Sequence, residues 1–330
     1  MRLLTRSDVE RAVTMRAAVE IIRQAFSELS TGQAVVPLRT VVEQRQHDGV
    51  TLFMPGYLRG SESLAIKVAS VHHRNRERSL PLIHALVIVI DPATGQPVAA
   101  MEGGYLTALR TGAASGVATE LLARKGAEIA AVIGAGGQSR TQILALASVR
   151  QLRRVLIFDR EPEKVQALIA GLQPQLSDAI ELRAATSAAE AVRQAHVICT
   201  ATTSRTPVFN GADVQPGTHI NAIGAYTPEM QEVDCTTLQR AAKIVIDSHE
   251  GALAEAGDLL IALERGAIQL SDIYGELGEI AAGLKPGRES DDEITYFKSV
   301  GNAAQDAAIA HAIYQQALQH NLGTEFDLLA

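Results

Sequence analysis

The sequence predicts a two-part protein: an α+β region up to Gly103-Gly104, followed by an α/β region with a doubly wound parallel sheet. Three observations carry this. From Ile129 onward, short apolar runs alternate with stretches of helical period, the pattern of parallel strands and crossover helices. A glycine-rich turn, Gly134-Ala135-Gly136-Gly137-Gln138-Ser139, joins the first of those runs to a helix. Before Gly103, β-branched segments succeed one another through turns with no crossover helix between them, the pattern of antiparallel strands. A chain of 330 residues also exceeds what one hydrophobic core usually serves.

The elements follow in order. Thr14 is the N-cap of a first helix, in which Ala18, Ile21, Ile22, Ala25, Phe26 and Leu29 recur at helical spacing and Gly32 marks the stop. Val35 to Pro55 reads as antiparallel strands around a turn at His47-Asp48-Gly49, and Leu64–Val71 and Leu82–Ile90 continue the pattern. Asp91-Pro92-Ala93-Thr94-Gly95 is a turn, and Pro97–Glu102 is a returning strand. A helix follows through Leu106, Leu109, Ala113, Val117 and Leu121, with its stop at Gly126. Ile129–Ile133, Arg154–Phe158, His196–Thr200, Thr218–Ile223 and Lys243–Asp247 are buried strands, and Pro162 suits the first turn of a helix. The chain from Gly251 to about Gly287 reads as helix and loop, Glu293–Gly301 as a last strand, and Asn302–His320 as a final helix.

Composition narrows the function. Apolar residues make up 47% and charged residues 20%, an ordinary globular balance. A net charge of −7, no Trp and 4% aromatics argue against a nucleic-acid partner. Cys199 and Cys235 form no C-x-x-C pair, which excludes a disulfide scaffold and a cysteine zinc site, and no metal site is expected. Charges at Arg2, Arg6 and Asp8 stand where a signal peptide needs an apolar core, and no apolar run reaches the roughly 20 residues of a membrane span. A cytoplasmic protein with reduced thiols and no membrane partner is expected.

The glycine turn carries the first chemistry. In G-x-G-x-x-S after a strand, the first glycine permits the tight turn, the second lets a pyrophosphate approach the backbone, and the helix N-terminus offers unpaired N–H groups. An ordinary tight βα turn is the alternative, and Ser139 stands where Gly or Ala is usual. Asp159 ends the next strand, 25 residues after Gly134, where a carboxylate would accept from a ribose 2′-OH. A Rossmann dinucleotide site favouring NAD(H) is expected. Arg160 keeps NADP(H) open, since it suits a phosphate or adenine as well as a solvated surface.

Three cations occupy unusual places: Lys67 in the apolar run Ala65–Ala69, Arg110 in a helix of small residues, and Arg39 in a β-branched segment. Each needs an anionic partner, which is either a protein carboxylate or a substrate carboxylate. Other chemistries lack their motifs. There is no G-x-S-x-G, and His249-Glu250-Gly251-Ala252-Leu253 is not H-E-x-x-H. His72 and His73, adjacent on a strand, would face opposite ways. His84 reads as a core histidine or a site-lining one.

Four stretches taken together resemble the ornithine cyclodeaminase/mu-crystallin family. They are Met101-Glu102-Gly103-Gly104-Tyr105-Leu106-Thr107-Ala108-Leu109-Arg110-Thr111-Gly112-Ala113-Ala114-Ser115, Gly134 to Arg140, Asn221-Ala222-Ile223-Gly224-Ala225-Tyr226-Thr227-Pro228, and Phe297-Lys298-Ser299-Val300-Gly301-Asn302-Ala303. The resemblance spans the chain in order. It implies an NAD(P)-dependent homodimer, with a discontinuous substrate-binding and dimerisation domain (1–115 with 303–330) around a Rossmann domain (116–302). It implies that Arg39, Lys67 and Arg110 bind the substrate carboxylate, with Lys67 and Arg110 catalytic. It also implies that Arg110, Thr111, Gly134, Gly136, Gly137, Gln138, Asp159, Arg160, Thr200, Ala201, Thr202, Ile223, Gly224, Ala225, Ser299 and Val300 contact the cofactor.

One departure bears on the reaction. Cyclodeaminases similar to this chain carry an Asp directly after the segment matched by Gly224-Ala225, and this chain has Tyr226, read as a wall of the substrate site. A phenol is a poor base at neutral pH. The sequence therefore points to reduction of a small α-imino acid to an amino acid, either a cyclic ketimine such as pyrroline-2-carboxylate or an imine of a 2-oxo acid and an amine. Alanine dehydrogenase-like oxidative deamination, ornithine cyclodeamination and cofactor binding without turnover are the alternatives.

Overall fold

The structure, a computed structural model, describes residues 1–328, apart from the side chains of His73 and Arg76. In chain order the elements begin β1 (Arg2–Leu4), α1 (Arg6–Ala12), α2 (Met15–Ser30), β2 (Ala34–Val35), β3 (Thr40–Gln44), β4 (Gly49–Leu58), β5 (Ser63–His72), β6 (Ile83–Ile90), β7 (Pro97–Glu102) and α3 (Gly103–Leu122). There follow β8 (Ile129–Ile133), α4 (Ser139–Val149), β9 (Arg154–Phe158), α5 (Pro162–Leu172), β10 (Glu181–Ala184), α6 (Ala188–Gln194), β11 (Val197–Thr200) and β12 (His219–Ala222). The chain ends with α7 (Cys235–Arg240), β13 (Lys243–Ile246), α8 (His249–Glu255), α9 (Gly257–Glu264), β14 (Ile273–Glu276), α10 (Leu277–Ala281), β15 (Thr295–Lys298), α11 (Ala303–Gln319) and β16 (Thr324–Glu325). It divides into two compact units, Met1–Arg110 with Asn302–Ala330, and Thr111–Gly301. The division falls within α3, five residues earlier than the sequence boundary at residue 115, because Arg110 bonds to α11 of the first unit. No helix among the described residues is long and apolar enough to cross a membrane.

The first unit is a mostly antiparallel sheet in the order β16-β1-β7-β6-β5-β4-β2, with β3 also paired to β4. Helices α2 and α11 pack on it. Thr14 caps α2, its hydroxyl accepting from the Ala17 amide at 3.3 Å, and Ala18, Val19, Ile22, Ala25 and Phe26 form its buried stripe. Asn302 caps α11, and the small residues that follow let the helix sit close to the sheet. A Cβ at Gly56 of β4 would lie 2.8 Å from the Ala303 carbonyl oxygen, so only glycine permits that approach.

Alternation along β5 puts Ala65, Lys67, Ala69 and Val71 on the buried face. The opposite face carries Phe53 and Tyr57 of β4, Leu64, Ile66 and Val68 of β5, and Leu86 and Ile88 of β6, aligned in register and only half-buried or exposed. His84 belongs to that outward face and is exposed, which corrects its reading as a core histidine. His72 ends β5, half-buried, and His73 begins a 3-10 turn, so the two are not adjacent on one strand as expected; the side chain of His73 lies outside the described residues.

The second unit is an all-parallel sheet in the order β10-β9-β8-β11-β12-β15-β13-β14. Strands β8 and β9 fall on the predicted residues. The region expected to hold only helix and loop after Gly251 contains β14, a short edge strand with a bulge opposite Ile244 and Val245. The chain winds outward from β8 through β9 to β10, then returns to β11 and proceeds the other way. The switch point lies between β8 and β11, and in open α/β sheets ligands bind at the carboxyl ends of strands beside it.

Candidate active site

In the first unit the buried polarity gathers at α11. Lys67 Nζ lies 2.6 Å from Asp306 Oδ2, and Arg110 Nε lies 3.1 Å from Asp306 Oδ1. All three side chains are at least nine-tenths buried. Arg110 Nη1 also donates to Gln305 Oε1 at 2.9 Å, which turns the Gln305 amide group the other way. Gln305 is fully buried, and its Nε2 has no hydrogen-bond partner, nor has Nδ2 of Asn302. Two buried cations thus share one carboxylate, with unpaired amide donors beside them. Burial depresses the Lys67 ammonium to about 8, against the pull of Asp306 and with the repulsion of Arg110 and Arg39. Arg39, half-buried between β2 and β3, is therefore close enough to act on Lys67 electrostatically. This arrangement suits an anion with two or three acceptor oxygens, such as a carboxylate.

Sequence reasoning found the cations but not Asp306, Gln305 or Asn302. Their signal was a polar pair at the start of an alanine-rich helix, which reads equally as a solvated first turn.

In the second unit the glycine turn is built as a dinucleotide site requires. Gly134 has φ +106°, and a Cβ there would lie 2.7 Å from the Ala201 carbonyl oxygen. Gly136 and Gly137 are exposed, with nothing within 4 Å of where a Cβ would stand, so their backbone is open to a close ligand. Ser139, the departure from the usual pattern, is fully buried and donates to the Gly134 carbonyl at 2.7 Å, closing the turn onto α4. The Gln138 amide oxygen is buried without a partner. The open backbone of Gly136 and Gly137 just before α4 fits a pyrophosphate.

Asp159 ends β9. Its Oδ2 accepts from the Ala135 amide at 2.7 Å and its Oδ1 from the Glu161 amide at 2.9 Å, so the carboxylate holds the turn. Arg160 is exposed.

The other cofactor segments predicted from sequence are held from beneath by carboxylates that sequence reasoning missed. Asp247 Oδ2 accepts from the Ser299 hydroxyl and from the Val300 and Gly301 amides at 2.8 to 2.9 Å. Glu232 binds Thr200, Thr202, Gly224 and Ala225. Thr200 is fully buried, with its hydroxyl on Glu232. Ile223 is buried, and Ala201 and Tyr226 are half-buried. Thr111 is buried at the start of this unit.

The chain is 44% identical to a Delta(1)-pyrroline-2-carboxylate reductase of Thermococcus litoralis, whose structure is in complex with NADH and L-proline. The TM-score is 0.94, covering 99% of this chain and 100% of that one. A Delta(1)-pyrroline-2-carboxylate reductase of Bacillus cereus is 36% identical over 327 residues, 99% of this chain and 100% of that protein. An archaeal alanine dehydrogenase dimer with bound NAD matches with TM-score 0.92 at 37% identity, covering 100% of this chain and 99% of that one. Residues 1–321 match the profile of the ornithine cyclodeaminase/mu-crystallin family, and the chain belongs to that family.

Proposed function

We propose that this protein reduces a small α-imino acid to the amino acid with NADH, the substrate being a cyclic ketimine such as pyrroline-2-carboxylate or an imine of a 2-oxo acid and an amine. The observation that carries the reading is the pair of buried cations, Lys67 and Arg110, sharing the single carboxylate of Asp306. Arg110 offers a planar fork to the substrate carboxylate, with Arg39 and Lys67 completing the clamp and fixing the position of the imine carbon. Asp306 holds Lys67 and Arg110 in place. With an ammonium near 8, Lys67 is protonated at neutral pH, and it keeps the imine nitrogen protonated during reduction. The bound nicotinamide supplies the hydride to the imine carbon. The second unit holds the dinucleotide along the Gly134–Ser139 turn, with Asp159 at the ribose and the Thr200–Thr202, Ile223–Ala225 and Ser299–Val300 segments at the other half. NAD(H) is the preferred cofactor, with NADP(H) open through Arg160. Tyr226 is a wall residue of the substrate site.

The half-exposed apolar face of the first unit's sheet, from Phe53 and Tyr57 to Leu86 and Ile88, is assigned to a second copy of this chain. The dimeric state of the related alanine dehydrogenase supports this. A cytoplasmic location fits the unbridged Cys199 and Cys235.

The test is a steady-state assay with NADH. Turnover of pyrroline-2-carboxylate above that of pyruvate plus ammonia sustains the reading. Turnover of pyruvate plus ammonia alone would replace it with alanine dehydrogenase-like activity, the reading favoured by the 37% identity to that enzyme. Pyruvate plus methylamine separates cyclic from open-chain imines. Absence of turnover with tight NADH binding would leave a cofactor-binding protein.

A further inference from the structure

We propose that Glu232 is a positioning residue for the nicotinamide half of the dinucleotide site, locking together the two loops that leave β11 and β12. The inference rests on the dinucleotide reading above and adds to it a residue outside the glycine turn and the cation cluster.

Glu232 is fully buried in the loop between β12 and α7. Its Oε1 accepts from the Thr202 amide at 2.6 Å and the Thr202 hydroxyl at 2.8 Å. Its Oε2 accepts from the Thr200 hydroxyl at 2.9 Å, the Gly224 amide at 2.7 Å and the Ala225 amide at 3.1 Å. One carboxylate therefore ties the end of β11 to the end of β12, strands paired with Thr200 opposite Ala222. The loops meet so closely that a Cβ at Gly224 would lie 2.2 Å from the Thr202 carbonyl oxygen.

These are carboxyl ends of neighbouring strands beside the switch point, on the side away from β9 and Asp159. Asp159 marks the adenosine half, so the loops joined by Glu232 belong to the nicotinamide half. Beneath them, Asp258 Oδ1 accepts from the Glu232 and Val233 amides at 2.7 and 3.0 Å, and its Oδ2 lies 2.7 Å from Lys298 Nζ, with both Asp258 and Lys298 fully buried. Lys298 ends β15 and immediately precedes Ser299 and Val300, so all three nicotinamide-side segments converge on this buried charge cluster.

Glu232 must be an acceptor on both sides. Each oxygen meets at least one backbone N–H, and a backbone N–H cannot turn away as a hydroxyl can. A glutamine of nearly the same volume would set its NH2 against Thr202 on one side or against Gly224 and Ala225 on the other, and one loop would have to move. Burial pushes the Glu232 carboxyl up and the Asp258 charge adds to that, while the Lys298 charge and the Thr202 donors oppose it.

The test compares wild type with Glu232→Gln in binding NADH and ADP. ADP contains only the adenosine and pyrophosphate portions. The expected result is NADH affinity weakened about tenfold or more, with ADP affinity within about twofold of wild type. Equal weakening of both ligands would reduce Glu232 to a general structural role and overturn the proposal, as would unchanged NADH affinity. If wild type binds neither nucleotide, the dinucleotide reading itself fails; if it binds both and the variant loses both alike, only the Glu232 proposal fails. Should Glu232→Gln not fold, Thr200→Val keeps the buried shape and removes one of the five donors. NADH affinity should then fall about threefold with ADP unchanged, and parallel or absent changes would overturn the proposal.

Discussion

The buried charge clusters of the two units, one around Asp306 and one around Lys298, carry opposite signs in excess. In the first, Lys67 and Arg110 share Asp306. In the second, Lys298 pairs with Asp258, the Glu232 carboxylate accepts from backbone amides and threonine hydroxyls, and Asp247 is held by backbone amides and one serine hydroxyl. A buried charge is tolerated only when its hydrogen-bonding capacity is met. The three carboxylates of the second cluster meet it internally, because they accept from converging amides and so fix loop geometry. The first unit does not: an excess cation and the idle amide nitrogens of Gln305 and Asn302 remain, a capacity that an anionic ligand fulfils. The same physical rule thus gives a loop scaffold in one unit and the proposed ligand clamp in the other.

The largest effect should come from breaking the clamp. Arg110→Ala removes one partner of a buried charge-assisted pair, worth about 2 to 5 kcal/mol, so kcat/KM for the imine should fall by between about thirtyfold and several thousandfold. NADH affinity, measured by fluorescence titration, should stay within about twofold if Arg110 serves the proposed substrate clamp rather than the cofactor contact that the family resemblance also allows it. Catalysis surviving within threefold would remove Arg110 from the clamp.

Asp306→Asn sharpens the comparison by increasing the excess of positive charge. Asp306 raises the Lys67 pKa, while burial, Arg110 and Arg39 lower it to about 8. Lys67 is charged below that pH and neutral above it, so kcat/KM should have an alkaline limb near pH 8 in wild type. With Asp306 neutralised, Lys67 loses its proton at lower pH and the limb moves toward acid. A pH profile measures this directly, and a tenfold loss at alkaline pH corresponds to a shift of one unit. An unmoved limb would show that another group sets it.

The asymmetry between the units also explains what could be read in the sequence. Strands β8 and β9 were legible to the residue because each is built on an apolar run bounded by turns, preceded in β9 by Arg154. The edge strands β10 (Glu-Leu-Arg-Ala) and β14 (Ile-Tyr-Gly-Glu) were not, since at four residues with polar or glycine positions they look like loop. Lys67 and Arg110 stood out as charges inside apolar or small-residue patterns. Glu232 did not: Glu229, three residues before it in the same loop, is exposed, and only closure of the loop onto β11 distinguishes the two. Cations on regular elements announce themselves by breaking a period, whereas carboxylates in loops have no period to break.

A smaller effect is expected at Asp159, whose carboxylate holds Ala135 in the turn and is proposed to accept from the ribose as well. Asp159→Ala should weaken NADH more than NADPH, because the 2′-OH loses an acceptor while the 2′-phosphate loses a repelling charge. The ratio of kcat/KM for NADH over NADPH should narrow by about tenfold. Because the turn loses its tie to Ala135 as well, both cofactors should weaken somewhat. An unchanged ratio would leave Asp159 as scaffold only, like Glu232 and Asp247.

The smallest effect is a gain. Glu232, Asp247 and Asp258 are committed to backbone, hydroxyl and lysine donors, and where similar cyclodeaminases keep a carboxylate for a distal amine this chain has Tyr226. Cyclodeamination needs a base that holds and deprotonates that amine, and a neutral phenol accepts only a weak hydrogen bond from an ammonium. Wild-type protein incubated with ornithine and NAD should therefore form no proline and release no ammonia. Tyr226→Asp introduces a carboxylate and removes the volume of the ring, and trace proline formation is the expected outcome. Reduction of apolar imino acids should weaken in the same variant, since an uncompensated charge would face their side chains. Proline formation by the wild type at a rate matching imine reduction would break the comparison at its root. It would mean that the second unit presents a catalytic base to substrate without a carboxylate at position 226, and the reductase reading would give way to a cyclodeaminase.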